Sequence, residues 1–245
     1  MILAAAEEHV VVVSDLHLGS PASKAERPFA LFLDEVARSG RALCINGDGF
    51  DLLQSTPPRL ALAAFPMLQR LQRLAADGVP VYYVLGNHDL ALEHVLFDLP
   101  FVVSPFLNLV SGGRRIRIEH GHVHDPVYAR APNLYELGGR LGRVALLGRA
   151  DVYRAYSRVQ LRLDDWRRRP GRARPYPHHA AALDLFQRGF DAVVFGHTHI
   201  PEVVELDGGT FANCGDWLSN RTCLTIDAGR LALHEWEPGL LASVG

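Results

Sequence analysis

Five short segments of the 245-residue sequence carry carboxylate, amide and imidazole side chains, and each segment directly follows an apolar run. Any one of them is also typical of an ordinary turn or helix cap. Five in succession favour a metal site over a purely structural role, because each places Asp, Asn or His at the end of a predicted strand. In chain order the segments are Asp15-Leu16-His17, Gly47-Asp48-Gly49-Phe50-Asp51, Gly86-Asn87-His88-Asp89, Glu119-His120-Gly121-His122-Val123-His124 and Gly196-His197-Thr198-His199.

The types of side chain in these segments predict which metals they bind. Imidazole, carboxylate and amide ligands without thiolates suit manganese, iron or zinc better than calcium or copper(I). The candidate ligands are more than one ion needs, so we predict two divalent ions, manganese first, with iron or zinc as alternatives. Two-metal sites hold their ions about 3.5–4 Å apart and activate water for in-line displacement at phosphorus. We therefore predict a metal-dependent phosphohydrolase with Asp48 as the bridging carboxylate.

Apolar, β-branched runs are predicted to form the buried strands that position these segments, and helical patterns lie between them. Their alternation predicts an α/β fold with mainly parallel pairing, followed by antiparallel hairpins after Ile200. Strand alternation also predicts that Asp15 and His17 face one side, and that His197 and His199 do the same. The predicted strands span residues 9–14, 42–46, 81–85, 116–118, 192–195, 203–206, 210–213, 222–226 and 231–236, and the helices span residues 28–38, 58–76 and 178–188.

The length of the chain and its 48% hydrophobic content predict one α/β domain over residues 1–245, with two small domains as the alternative. The first residues lack the basic start and the cleavage site of a signal peptide, so we expect a cytoplasmic protein. Cys44, Cys214 and Cys223 have no metal-type spacing and are expected to be reduced structural thiols.

A basic helical insertion, predicted over residues 126–176, stands apart from this pattern. Residues 130–174 hold twelve arginines and four acidic residues, a balance of +8, although the whole chain carries −2. Arg154, Arg158 and Arg162 recur every four residues and so share one face of a predicted helix. That face predicts an anionic partner, whether lipid headgroup, nucleic acid or phosphorylated substrate, and peripheral contact with the inner face of the membrane. The alternative is that this helix is simply solvated and binds no anionic partner.

The order of the five segments resembles the calcineurin-like metallophosphoesterase family over residues 11–200. The resemblance implies a four-layer α-β-β-α sandwich and a specific set of ligands. One ion is expected to be bound by Asp15, His17, Asp48 and His199, and the other by Asp48, Asn87, His120 and His197. His122 is the alternative to His120, because three histidines occur within five residues.

The resemblance also implies roles for residues that do not bind metal. His88 takes the position that protonates the leaving oxygen or stabilises the transition state, while a metal-bridging hydroxide attacks phosphorus. Asp51 and Asp89 take positions that orient histidines by accepting an imidazole N–H. Glu119, His124 and Asp125 either do the same or are simply exposed.

Within this family, the insertion and the run Asn213-Cys214-Gly215-Asp216-Trp217 are similar to the UDP-2,3-diacylglucosamine hydrolases of lipid A biosynthesis. This implies cleavage of a lipid-linked nucleotide pyrophosphate to UMP and a lipid monophosphate, with the basic insertion as a lid. His88 departs from the arginine that those hydrolases typically have at this position, which leaves open a broader phosphodiesterase, nucleotidase, pyrophosphatase, nuclease or cyclic-nucleotide phosphodiesterase. A non-catalytic scaffold is the third hypothesis, and the intact ligand set argues against it.

Overall fold

The computed structural model of the chain describes residues 4–21, 23–92, 100–132 and 176–243. The helices in these ranges are α1 (Glu26–Ser39), α2 (Pro57–Ala76), α3 (Pro126–Arg130) and α4 (Pro177–Gln187), and short 3-10 helices span Leu90–Leu92, His122–His124 and Leu240–Ser243. The strands are β1 (Ala4–Ala6), β2 (His9–Val13), β3 (Ala42–Asn46), β4 (Val81–Val84), β5 (Val102–Ser104), β6 (Leu107–Ser111), β7 (Arg114–Ile118), β8 (Ala192–Phe195), β9 (Glu202–Leu206), β10 (Gly209–Asn213), β11 (Thr222–Asp227) and β12 (Arg230–Glu235).

These strands form two six-stranded sheets. The first has the order β12-β11-β2-β3-β4-β5, and the second has the order β1-β6-β7-β8-β10-β9. Strands β2 to β5 pair in parallel, whereas β9 with β10 and β11 with β12 are antiparallel hairpins. The prediction of an α/β fold with parallel strands first and hairpins last is confirmed.

Helices cover the outer faces of both sheets, which gives the expected four layers. In β2, Val10 and Val12 lie in the apolar core between the sheets, and Val11 and Val13 lie in the core beneath α1 and α2. Such strands are buried on both faces, which explains their continuous apolar runs. On the second sheet, α4 packs against β8 and β10 through a separate cluster that includes Phe186.

Three strands were not predicted. The three alanines of β1 have little intrinsic preference for a strand, and β1 forms because it pairs in parallel with β6. Strands β5 and β6 flank Pro105, which interrupts the apolar pattern of that region. Strand β7 begins two residues earlier than predicted, because Arg114 and Arg115 pair with Ser111 and Val110 of β6.

The predicted basic insertion falls almost entirely on residues 133–175, which lie outside the described residues. Arg154, Arg158 and Arg162 are among them, so their shared helical face stays a prediction, as does the single domain over residues 1–245. Helix α3 lies at the start of the insertion. The three cysteines are buried and free. Across the described ranges, every helix is too short or too polar to cross a bilayer.

Candidate active site

All five segments begin within three residues of the end of a strand, on β2, β3, β4, β7 and β8. Backbone hydrogen bonds join neighbouring segments to one another. Asp15 N donates to Gly47 O over 3.1 Å, and His17 N donates to Asp48 O over 2.8 Å. Gly196 N likewise donates to His120 O over 3.1 Å. The segments are therefore held together by their own main chains before any side chain is considered.

Five of the seven predicted ligands adopt the left-handed backbone conformation. The φ angles are 55° at Asp15, 46° at His17, 52° at Asp48, 66° at His197 and 59° at His199. Such a conformation costs a non-glycine residue about 1–3 kcal/mol, and it clusters at functional sites. Asp15 and His17 do converge, whereas His197 contacts Asn87 and Asp125 and His199 contacts Asp15. Strand alternation accounts for neither pair, because these residues lie beyond the ends of β2 and β8.

The first predicted ligand set is brought together around the carboxylate of Asp15. His199 Nε2 lies 3.0 Å from Asp15 Oδ1, and His17 Nε2 lies 3.7 Å from the same oxygen. These three residues can place one ligand atom each around a single cation. The structure therefore gathers Asp15, His17 and His199 as the sequence predicted.

Asp48 lies at the centre of the whole cluster. Its Oδ2 atom is 3.3 Å from His120 Nε2, 3.8 Å from His17 Nε2 and 3.9 Å from His88 Nε2. Its Oδ1 atom accepts the backbone N–H of His88 over 2.8 Å, which fixes the orientation of the carboxylate. One oxygen thus faces imidazoles from three different segments, and Asp15 Oδ1 does the same, within 4.0 Å of His17, His120 and His199.

The second predicted set pairs His120 and Asp48 with Asn87 and His197. Asn87 Oδ1 lies 3.1 Å from His197 Nδ1. His120 Nδ1 contacts the backbone oxygen of Asn46 over 2.9 Å, so its Nε2 atom faces Asp48. Among the described residues, His120 belongs to one of the three groups that could surround a cation, with Asp15 and Asp48, whereas His122 and His197 belong to none of them. His122 packs against Tyr128. The geometry therefore favours His120 over His122.

The electrostatics of the cluster favour bound positive charge. Burial raises the pKa of Asp48 and Asp15, but surrounding imidazoles, led by His120 for Asp48 and His199 for Asp15, hold both well below their usual range. Burial lowers the pKa of His120, yet Asp48 and Asp15 raise it to about 10. Burial also lowers the pKa of His88 and of His199, but nearby carboxylates raise both to about 9. These carboxylates are chiefly Asp48 and Asp51 for His88 and Asp15 for His199.

Buried polar atoms test whether these residues fit divalent metals. His17 Nε2 and His120 Nε2 are buried without a hydrogen-bond partner in the described part of the chain. Such atoms are destabilising unless something satisfies them. The nearest carboxylate oxygens of Asp15 and Asp48 lie 3.3–3.8 Å from these two nitrogens, which is longer than an ordinary charge-assisted hydrogen bond. Cations between the imidazoles and the carboxylates would satisfy these atoms, so the residues fit a pair of divalent ions.

The family model described as calcineurin-like phosphoesterase matches residues 8–201. The chain belongs to this family. Membership confirms the predicted enzyme class, a metal-dependent phosphohydrolase whose family uses divalent metals. A solved structure described as a novel archaeal phosphodiesterase superposes with a TM-score of 0.51 at 12% identity, covering 93% of this chain and 99% of its own, which supports the fold.

Two curated relatives match about nine tenths of this phosphoesterase. UDP-2,3-diacylglucosamine hydrolase from Stenotrophomonas maltophilia (strain K279a) is 26% identical, and the match covers 90% of this chain and 96% of that protein. The protein of the same name from Pseudomonas putida (strain F1) is also 26% identical, with 93% of this chain and 99% of that protein covered. The similarity therefore extends beyond the span matched by the family model.

Two acidic residues of this phosphoesterase were predicted to orient histidines, and they differ in what they contact. Asp51 Oδ1 lies 3.0 Å from His88 Nδ1, as expected. Asp89 instead accepts hydrogen bonds from Tyr83 Oη and from the backbone amides of Gly49 and Gly86, over 2.6–2.8 Å. The expectation for Asp89 is corrected: its carboxylate joins the second and third segments to each other and contacts no imidazole among the described residues.

Two further acidic residues, left open by the sequence, contact histidines of the site. Glu119 Oε1 lies 2.6 Å from His124 Nε2, and Glu119 Oε2 accepts from Arg117 Nε over 2.8 Å. Asp125 Oδ2 lies 3.1 Å from His197 Nε2. Neither acid is simply exposed, and Asp125 contacts a predicted ligand directly.

The run Asn213-Cys214-Gly215-Asp216-Trp217, which begins at the last residue of β10, supports the fifth segment, a role the sequence did not indicate. Asn213 Nδ2 donates to Gly196 O over 2.7 Å and to Thr198 Oγ1 over 3.1 Å. The backbone N–H of Trp217 donates to Asp15 O over 3.1 Å. Asn213 therefore stabilises the fifth segment, and Trp217 stabilises the first. The sequence drew attention to the run only through its resemblance to the diacylglucosamine hydrolases.

Gly86 gives a test of how tightly Asp48 is held. A Cβ atom at Gly86 would lie 2.5 Å from Asp48 N and 2.9 Å from Asp48 Cγ, so Gly86→Ala must displace this carboxylate. We expect Mn²⁺ affinity, measured by calorimetric titration, to fall about 10–100-fold. Gly209→Ala is the matched control, because its Cβ would meet Asp191 O at 2.6 Å, at the start of β10. Unchanged Mn²⁺ affinity in Gly86→Ala would contradict this constraint on Asp48.

Proposed function

We propose that this phosphoesterase hydrolyses its substrate with two divalent ions bridged by Asp48. Asp15, His17 and His199 complete the first site, and Asn87, His120 and His197 complete the second. The observation that carries this proposal is the convergence of three imidazole nitrogens on Asp48 Oδ2, within 3.3–3.9 Å. Manganese is the proposed metal, since these ligands are mixed nitrogen and oxygen donors.

Bound divalent ions at such a site lower the pKa of water and polarise phosphoryl oxygens. The residues of the chain supply orientation and proton transfer. Asp48 Oδ1 is fixed by the backbone N–H of His88, so Oδ2 stays directed into the site. Asp51 accepts the Nδ1 proton of His88 and, together with Asp48, stabilises its imidazolium form, whose Nε2–H can donate to an oxygen of the substrate. His88 is proposed to protonate the leaving oxygen or to stabilise charge on the phosphoryl group.

The proposed substrate is a lipid-linked nucleotide pyrophosphate, UDP-2,3-diacylglucosamine, cleaved to UMP and a lipid monophosphate. Support comes from relatives of that name, which match about nine tenths of this chain at 26% identity. The basic insertion, residues 126–176, supplies positive charge suited to phosphate groups. We further propose that this segment meets the membrane surface peripherally from the cytoplasmic side.

A substrate screen tests this proposal. The purified chain, loaded with Mn²⁺, is incubated separately with UDP-2,3-diacylglucosamine, nucleotides, cyclic nucleotides and bis(p-nitrophenyl) phosphate. We expect release of UMP and the lipid monophosphate, identified by mass spectrometry, at the highest kcat/KM of the set. Turnover of the small diesters without turnover of the lipid substrate would refute the lipid assignment. No turnover of any of them with two ions bound would refute the proposed catalysis.

The substrate role of the arginine face is tested by replacing Arg154 and Arg158 together with alanine. Charge-assisted hydrogen bonds contribute about 1.5–3 kcal/mol each, so we expect kcat/KM for the lipid-linked substrate to fall at least about 10-fold. The value for bis(p-nitrophenyl) phosphate should stay unchanged, since this compound is too small to need the segment. Equal losses on both substrates would contradict substrate binding by this face.

A second candidate function is a broader phosphodiesterase. His88 favours this candidate, because arginine is typical of the diacylglucosamine hydrolases at that position. The two candidates differ in the screen by whether the lipid substrate or a small diester gives the higher kcat/KM.

A further inference from the structure

Asp125 links the metal cluster to the helix at the start of the basic insertion. Its Oδ1 atom accepts the backbone N–H of Val127 over 2.7 Å and so caps the amino end of α3. Its Oδ2 atom lies 3.1 Å from His197 Nε2. The two oxygens of one carboxylate therefore have separate partners, one on the helix and one on a proposed metal ligand.

The contact with Asp125 decides which nitrogen of His197 carries the proton. A carboxylate only accepts hydrogen bonds, so His197 Nε2 must donate its N–H to Asp125. In the neutral imidazole, Nδ1 then presents a lone pair. Nδ1 faces Asn87 Oδ1 at 3.1 Å, and that oxygen is also an acceptor. The lone pairs of His197 Nδ1 and Asn87 Oδ1 therefore face each other, an arrangement that suits a cation bound by both atoms.

We propose that Asp125 is a positioning residue for the second metal ion. It fixes the tautomer of His197 with the proton on Nε2, and it holds the ring so that Nδ1 faces Asn87. The inference rests on the proposed dinuclear site. Because the same carboxylate caps α3, a shift of this helix changes the support of His197. The start of the insertion is in this way coupled to a ligand of the second metal ion.

Two histidine rings lie near that of His197, whose Nε2 atom contacts Asp125. The ring of His178 is 6.0 Å from that of His197, and its own Nε2 contacts Gly121 O over 3.2 Å. The ring of His122 is 6.4 Å from that of His197 and packs against Tyr128. These neighbours enclose the imidazole in a poorly solvated place, where a single charge-assisted hydrogen bond has a strong effect on orientation.

Two substitutions separate the contact with His197 from the helix cap. Asp125→Ser keeps a good capping group for Val127, but the shorter side chain cannot reach His197. Asp125→Asn also caps α3 through its single oxygen, which turns its NH₂ group toward His197 Nε2. That amide donates, so the proton of the imidazole must move to Nδ1, the proposed ligand atom. The more conservative change is therefore expected to be the more harmful one.

The experiment measures Mn²⁺ binding by calorimetric titration and the tautomer of His197 by two-bond ¹H–¹⁵N correlation spectra of the metal-free chain. We expect the second equivalent of Mn²⁺ to bind about 10–100-fold more weakly in Asp125→Ser, and still more weakly in Asp125→Asn. The first equivalent should be unaffected. The proton should be on Nε2 in the parent and on Nδ1 in Asp125→Asn. Asp184→Asn, at an exposed residue paired with Arg188, is the control for the loss of a carboxylate.

The possible failures are distinguishable. A parent chain that binds fewer than two Mn²⁺ ions would refute the proposed dinuclear site, while the spectra would still decide the role of Asp125. A parent that binds two ions, with parental affinity in both Asp125 variants, would overturn only the positioning role. A His197 proton that stays on Nε2 in Asp125→Asn would overturn it as well. A merely structural role predicts a smaller loss for asparagine than for serine.

Discussion

Asp48→Asn is expected to lower kcat by at least about 10³-fold and to reduce the bound Mn²⁺ from two ions to one or fewer. The substitution keeps the size of the side chain, and asparagine can still accept the backbone N–H of His88 at the Oδ1 position. It removes the charged oxygen on which His17, His88 and His120 converge. Metal analysis and steady-state kinetics on bis(p-nitrophenyl) phosphate measure the two losses.

The expected size of this effect follows from the position of Asp48. It is 1% exposed, and its Oδ2 atom is the one oxygen shared by imidazoles of the first, third and fourth segments, among the described residues. Asp34→Asn is the matched control, because Asp34 is exposed and paired with Arg70. An Asp48→Asn chain that keeps two ions and more than a tenth of the parental kcat would exclude Asp48 as the bridge.

Removing this carboxylate should also change the histidines around it. Burial disfavours the charged form of His120 and of His88, and Asp48 is the first of the charges that raise their pKa values to about 10 and about 9. Without it, both pKa values should fall, so the imidazoles of the variant should lose their protons at lower pH than those of the parent. NMR titration of the metal-free chains would show this shift.

The sequence was a good guide to the central strands because of how they are buried. Strands β2, β3 and β8 lie within the two sheets and are covered on both faces, so nearly every residue in them is apolar. Strand β1 carries no such signal, since three alanines fit many conformations. It exists because β6 offers a free edge beside it, which only the tertiary structure reveals.

The sequence predicted the residues of the site better than their backbone geometry. The order of Asp, Asn and His residues after successive strands was enough to locate the cluster. Left-handed conformations at Asp15, His17 and Asp48 could not be predicted, because Asp and His adopt them more often than most other residues but still only in a minority of cases. They persist because the segments are tied to one another through the main chain, and that strain is balanced by the surrounding packing.

The contacts of Asp89 could not be predicted from the sequence for a different reason. An acid beside His88 is a natural candidate to orient an imidazole, and the sequence gives no sign that Tyr83 is closer. The phenol of Tyr83 is buried at the end of β4, six residues earlier, and donates to Asp89 over 2.6 Å. Burial and the charge of Asp48 raise the pKa of Asp89 to about 6, so this carboxyl is unlike that of Asp51. Asp51 thus orients His88, whereas Asp89 joins the second and third segments.

His88→Ala is expected to lower kcat about 10²–10⁴-fold while both Mn²⁺ ions remain bound. His88 lies at the edge of the cluster, with Nδ1 held by Asp51 and Nε2 still 3.9 Å from Asp48 Oδ2. The residue is grouped with His17 and Asp48 in one arrangement that could surround a cation, so metal binding is the decisive readout. Loss of an ion in His88→Ala would make this histidine a ligand and not a proton donor.

Leaving-group dependence separates the two proposed roles of His88. If Nε2 protonates the leaving oxygen, the loss in His88→Ala must grow with the pKa of the leaving alcohol, because a poor leaving group depends most on that proton. If His88 only stabilises charge on the phosphoryl oxygens, the loss should be the same for p-nitrophenyl and alkyl esters. Asp51→Asn is the control, since an amide oxygen still accepts the Nδ1 proton. We expect this substitution to lower kcat about 10–100-fold, less than His88→Ala does. A loss in Asp51→Asn as large as that in His88→Ala would show that the charge of Asp51, and not only its hydrogen bond, is needed to keep His88 ready to donate.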